Sequence, residues 1–197
     1  MDWTGRYLQQ DTPWDKGIAT PVLEEMQRRH PEVFSGKTLV PGCGPGHDAR
    51  RLADFGCEVT GVDIAPPAIE LARTLDSEQR INYESGDFLD PPPGYLSAFD
   101  LLWEHTCFCA IDPILRSAYL NAAFRVLKPG GIVAGVFFIN PEMEEGESGP
   151  PFGIDIDALK TTWREHGFRI LESWTPESAF PGRLGRELSL ILVKESA

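Results

Sequence analysis

Apolar positions along the chain follow two alternating rhythms. Short β-branched or aromatic runs at 38–40, 59–62, 81–84, 99–103, 132–139, 168–174 and 188–193 are each bounded by Gly, Pro or Asp, and predict seven strands. Between most of them apolar residues recur at helical spacing. Thr20-Pro21 reads as an N-cap and first-turn pair opening a helix that Pro31 stops. Asp112-Pro113 repeats the signal, with Leu115, Tyr119, Ala122, Ala123 and Val126 on one face until Lys128-Pro129-Gly130-Gly131. Another helix begins near Asp157, turns Leu159 and Trp163 inward and closes at Gly167. Two more fit 47–55 and 68–75.

The β-α-β-α-β order predicts an α/β fold, a doubly wound, seven-stranded and mostly parallel sheet. The last two strands follow one another through 176–187 with no helix between them, which predicts a terminal antiparallel hairpin. Residues 1–197 read as a single domain, with 1–35 as an N-terminal helical extension. Segment 140–152, rich in Glu, Gly and Pro, reads as a long loop at the carboxyl ends of the strands, where ligands of such sheets bind. Its charged stretch 142–147 is either a solvated loop or a lid.

Charge removes several function classes. Eighteen Lys+Arg against 30 Asp+Glu leave a formal charge of −12, which repels phosphate backbones and anionic lipid. Neither nucleic acid nor a membrane is expected as a partner. An apolar content of 42% with 5 Trp and 11 Phe supports a sizeable core and excludes a disordered chain. The longest apolar run is far short of the roughly 20 residues that a bilayer span needs. Met1-Asp2-Trp3 shows no basic or apolar leader, so a cytoplasmic protein is expected. The cysteines at 43, 57, 107 and 109 and the histidines at 30, 47, 105 and 166 show no metal-ligand spacing. Free thiols and no metal are expected.

The sharpest local feature is Gly42-Cys43-Gly44-Pro45-Gly46-His47-Asp48, joining the first strand to the first helix of the sheet. Alternate glycines let the backbone turn tightly and approach a ligand that a Cβ would exclude. Asp63 ends the second strand, where an acid suits hydrogen bonding to both ribose hydroxyls of an adenosine. Gly86-Asp87-Phe88 adds an acid and an aromatic past the third strand, fit to bond and stack an adenine. Gly44-x-Gly46-x-x-Ala49 also satisfies the dinucleotide pattern, so a nicotinamide enzyme stays open on spacing. Asp48 in the first helical turn would compete with a pyrophosphate for the amides, which favours a sulfonium ligand.

Four segments, 40–48, 62–64, 86–88 and 125–131, together resemble class I S-adenosylmethionine-dependent methyltransferases of Rossmann-like fold. More narrowly, Thr12-Pro13-Trp14-Asp15-Lys16-Gly17 and the stretch 99–111 resemble the thiol, thiopurine and halide methyltransferase family. That resemblance implies S-adenosylmethionine as cofactor and S-adenosylhomocysteine as product. It implies that Gly42, Gly44 and Gly46 face the methionine part, Asp63 the ribose, and Asp87 with Phe88 the adenine, with Ile64 also among the cofactor-binding residues. It places Trp3 and Tyr7, within the 1–35 extension, over the cofactor, and Trp14 nearer the sulfonium and substrate. His105 stands where relatives carry Tyr or Arg beside cofactor and substrate. Val40 occupies the position, two before the first glycine, where most class I members have an acid.

The implied reaction is in-line displacement at the sulfonium methyl by a small thiol, thiopurine, sulfide or halide, and such soft nucleophiles need no strong base. Trp103, Cys107, Phe108, Cys109 and Phe138 fit an apolar, polarisable wall, with Phe108 toward substrate. His105 is either a proton acceptor for a thiol or a residue that packs against the cofactor. Glu104 is equally suited to binding backbone or to acting as base. Arg183 and Arg186 either reach an anionic substrate group or sit solvated on the surface. Other outcomes stay open: a metalloid oxyanion or another small acceptor on the same fold, a nicotinamide-dependent oxidoreductase, or a cofactor-binding module without turnover. A monomer is favoured.

Overall fold

The computed structural model describes residues 1–141, 143 and 149–195. Most of the 142–147 stretch therefore lies outside the described residues. In chain order the elements are α1 (Trp3–Leu8), α2 (Pro21–Arg29), β1 (Lys37–Pro41), α3 (His47–Asp54), β2 (Glu58–Asp63), α4 (Pro66–Leu75), β3 (Asn82–Ser85), β4 (Phe99–His105), α5 (Arg116–Val126), β5 (Leu127–Phe138), α6 (Ile156–Glu165), β6 (Phe168–Trp174) and β7 (Glu187–Lys194). The seven strands form one sheet in the order β3-β2-β1-β4-β5-β7-β6. Only β7 runs against its neighbours, so the expected terminal hairpin is present, with β7 inserted between β5 and β6. Among the described residues no helix is long and apolar enough to cross a membrane.

Alternation along β1 and β4 sorts side chains to two faces. Leu39 and Leu102 join the core under α5 and α6, where Tyr119, Trp163 and Phe168 pack. Val40, Leu101 and Trp103 join the opposite core with Val22, Leu23 and Met26 of α2 and Leu52 of α3. α2 is thus a packed layer of the fold and not a loose appendage. Its start is as the sequence suggests: Thr20 Oγ1 accepts from Val22 N, and Pro21 opens the helix.

Several boundaries differ from the sequence reading. Asp112-Pro113 opens a 3-10 turn over Pro113–Leu115, and α5 starts only at Arg116. Leu115 is accordingly 42% exposed and not on the buried face. Lys128-Pro129-Gly130-Gly131 does more than stop α5. It forms the start of β5, irregularly paired beside Phe99 and Leu101, with Gly130 at φ 76° absorbing the turn.

Candidate active site

The glycine loop leaves β1 at its carboxyl end. Gly42, Gly44 and Gly46 hold φ of 58°, 52° and 75°, in the left-handed region. Space demands glycine as well as conformation. A Cβ on Gly42 would lie 2.9 Å from Cys107 Sγ, and one on Gly44 would lie 3.0 Å from Tyr7 Oη. The floor of the cleft is this loop, with its backbone packed directly against Cys107 and Tyr7. Asp63, at the tip of β2, is buried, and its Oδ2 accepts from Gly44 N at 2.9 Å while Oδ1 accepts from Ala65 N at 2.9 Å. Burial raises its pKa and these amides pull it back, which leaves a carboxylate aligned along the loop.

Aromatic residues cover this floor. Trp14 meets Trp3 edge-on at 5.2 Å and Tyr7 at 5.8 Å between ring centroids, and its Nε1 donates to Tyr7 Oη at 3.3 Å. Arg6 lies over the Trp14 ring at 4.5 Å. Asp15 ties this cover to the loop, because His47 Nε2 approaches Asp15 Oδ1 at 3.0 Å. Trp14, Gly42, Gly44, His47, His105 and Phe180 line one cleft.

The opposite wall is built on Asp48, the acid that the sequence offered only as a first-turn charge. Its Oδ1 accepts from Thr20 N at 2.8 Å, and its Oδ2 accepts from Trp103 Nε1 at 2.9 Å and faces His105 Nδ1 at 2.8 Å. Burial opposes its ionisation, but His105, Trp103 and Thr20 together hold its carboxyl below the usual range. The signal was present, since Asp48 stands four residues before buried Leu52 and shares its helix face. Phe180 stacks on His105 with centroids 6.1 Å apart, and nothing periodic in its sequence surroundings marks it.

Other expected site residues are not part of this cleft's lining. Phe108, expected on the substrate wall, is 2% exposed and packs among Tyr119, Phe137 and Trp163. Phe88, 7% exposed, packs on Tyr119 at 4.9 Å, so its ring is core and no open stacking surface. Asp87 is exposed and caps its own turn, Oδ1 accepting from Leu89 N at 2.9 Å, while Ile64 is 54% exposed. Trp103, also expected in the wall, is fully buried and reaches the site only through Asp48. Arg183 is not a solvated surface arginine: it lies over Phe138 at 4.9 Å and Phe180 at 5.7 Å, with Nη1 3.2 Å from Glu187 Oε1. Glu25 of α2 steadies that region by accepting from Trp174 Nε1 at 2.8 Å and from Glu177 N and Ser178 N at 2.9 Å.

Glu104 takes the backbone role. Its Oε1 accepts from Phe108 N at 2.8 Å and its Oε2 from the Tyr119 hydroxyl, on the far face of β4 from His105. Burial pushes its pKa up to about 7 despite those bonds. A raised pKa means that the fold favours the protonated form. Its stabilising contribution is present below the ordinary value near 4.5 and is lost as pH rises through about 7. Glu104→Gln should remove that dependence. The variant should gain on the wild type by up to about 3 kcal/mol between pH 4.5 and 8, read by denaturant unfolding. A constant difference across that range would contradict the burial argument. The thiols offer no activated nucleophile, since burial raises Cys43, Cys107 and Cys109, the last to about 12.

The family model described as thiopurine S-methyltransferase matches residues 1–189. A probable thiol methyltransferase 2 of Arabidopsis thaliana is 31% identical over 89% of this chain and 77% of its own. Thiocyanate methyltransferase 1 of the same plant is 31% identical over 94% and 81%. The fold matches the crystal structure of Burkholderia thailandensis 1,6-didemethyltoxoflavin-N1-methyltransferase with bound S-adenosylhomocysteine, with a TM-score of 0.75 at 18% identity over 99% and 86% of the two chains.

Proposed function

The chain belongs to the thiopurine S-methyltransferase family and is an S-adenosylmethionine-dependent methyltransferase, and we propose that its acceptor is a small soft nucleophile: a thiol, thiopurine, sulfide or halide. The observation that carries this reading is the cleft itself, a glycine-loop floor beside a buried carboxylate under an indole and phenol cover. The residues present fit S-adenosylmethionine. Asp63 offers acceptors suited to the ribose hydroxyls, and Gly42 and Gly44 line the cleft beside it for the methionine chain. Ile64 and Asp87 stand exposed at the strand ends for the adenine, backed from the core by Phe88. Trp3 and Tyr7 close over the loop, and Trp14 with His105 and Phe180 faces the acceptor. When bound, the cofactor supplies the electrophilic methyl group; the protein aligns donor and acceptor and excludes water.

The names of the relatives support sulfur and pseudohalide acceptors, and the buried thiols offer no covalent route. A small-molecule acceptor taken up by a cytoplasmic enzyme, without nucleic acid or membrane, completes the proposal. The test is a panel assay with methyl-labelled S-adenosylmethionine and alkyl thiol, thiopurine, hydrosulfide, iodide, arsenite and phenol as acceptors. We expect kcat/KM on the best sulfur or halide acceptor to exceed that on phenol and arsenite by about 100-fold or more, the span of a proton-transfer advantage. Preference for arsenite or phenol would overturn the proposal.

A further inference from the structure

His105 ends β4 at the cleft with Nδ1 bonded to Asp48 and with Nε2 buried and unpartnered among the described residues. Thr20 N and Trp103 Nε1 fix the Asp48 carboxylate from two other directions. An ionised carboxylate only accepts, so His105 Nδ1 donates to it, and whenever the ring is neutral Nε2 carries the lone pair. A buried lone pair without a donor is uncommon and calls for an explanation.

Two more orphaned atoms share that sheet face. His105 pairs with Val136, and Val136 with Ser189; two residues along, Phe138 pairs with Glu187. Paired and alternate positions point to one side of a sheet. Ser189 Oγ and Glu187 Oε2 are also buried without partners among the described residues. Phe180 and Arg183 roof this region, stacking on His105 and on Phe138. Of these three atoms only His105 Nε2 belongs to a residue that lines the cleft, so it is the one placed to meet a polar guest.

We infer that the acceptor arrives protonated, as an undissociated thiol, and that His105 Nε2, oriented by Asp48, receives its proton. This inference rests on the methyltransferase reading of the cleft and narrows its substrate class. The S–H bond breaks, the proton goes to Nε2, and the sulfur keeps the electron pair that forms the new S–C bond. The donor sulfonium keeps the pair of the broken C–S bond and leaves as a neutral thioether, and the imidazolium later releases its proton to water. Iodide, having no proton, makes no use of Nε2. His105 is then a catalytic residue and Asp48 a positioning residue.

The test compares wild type, His105→Gln and Asp48→Asn at pH 7.0 on three acceptors: an alkyl thiol, a nitro-substituted aromatic thiol already ionised at that pH, and iodide. An alkyl thiol with the pKa of free cysteine, about 8.5, is roughly 3% ionised there, so a variant without the base keeps about that fraction. His105→Gln should lose about 30-fold in kcat/KM on the alkyl thiol and far less on the two ionised acceptors. Asp48→Asn should act in the same direction, and the ratio between acceptors controls for any damage to the fold. Calorimetric affinity for S-adenosylhomocysteine should change little beside that ratio. Nitrogen-15 shifts of the wild-type His105 ring should show the proton on Nδ1. Equal losses on all three acceptors, an alkyl-thiol rate unmoved by His105→Gln, or a ring proton on Nε2 would overturn the inference. If the wild type methylates only the ionised acceptors, the proton role fails while the soft-nucleophile reading stands. If it methylates none of them, both fall.

Discussion

Replacing Asp63 by alanine should weaken binding of S-adenosylmethionine and its demethylated product by about 1.5–3 kcal/mol, roughly 10- to 150-fold in Kd. The size follows from what one carboxylate does. It is the buried acid at the end of β2, already held by Gly44 N and Ala65 N, and its remaining lone pairs are the charged acceptors aligned with the loop. Alanine removes those acceptors and also leaves two loop amides without a partner, so affinity and loop order fall together. Asp63→Asn separates the effects, because one amide oxygen still accepts from Gly44 N while the charge is gone. Titration calorimetry on both variants, with melting temperatures alongside, reads the result. An unchanged dissociation constant in Asp63→Ala would refute the ribose role.

Asp48→Ala should cost stability, about 3–5 kcal/mol, since a buried donor left unsatisfied costs about 1–3 kcal/mol and three donors share this carboxylate. Three donors lose their acceptor at once: Thr20 N at the start of α2, Trp103 Nε1 on β4 and His105 Nδ1. Thr20 N and Trp103 Nε1 cannot turn to water, since both residues are buried, and His105 loses the group that orients it beneath Phe180. Because Asp48 joins α2, α3 and β4, its loss loosens the wall of the cleft as well as the global fold. Denaturant unfolding at neutral pH measures the effect. A change below about 1 kcal/mol, that of a typical single hydrogen bond, would mean that the cluster carries no special weight.

The sheet was readable from the sequence because its signals are local. The β-branched or aromatic runs at 99–103 and 132–139, glycine at 42, 44 and 46, and the acid at 63 each state a backbone need without help from distant residues. The boundary errors came where a local signal had two outcomes. Asp112-Pro113 caps a 3-10 turn as readily as an α-helix, and the glycines at 130 and 131 permit an irregular strand start as well as a stop. The acceptor side was much less legible. Phe180 reaches His105 from a segment held by Glu25, 152 residues before Glu177, and no spacing along the chain encodes that contact. Phe88 and Phe108 show the converse. Each adjoins site motifs in sequence, but packing against Tyr119 holds both in the core.

The acidity takes its place in this picture. The net charge of −12 sits beside ion pairs such as Arg51–Glu24 and Lys128–Asp100 on the outside, while the acids that matter at the cleft, Asp48 and Asp63, are buried and committed to defined donors. A cationic cofactor is favoured by such a field.

The most direct measurement is a crystal structure with S-adenosylhomocysteine. It should show both ribose hydroxyls on the Asp63 carboxylate, the homocysteine chain along the backbone from Gly42 to Gly46, and the sulfur turned toward His105 and Phe180. A nucleoside bound elsewhere, or one that leaves Asp63 bonded only to Gly44 and Ala65, would contradict the site described here.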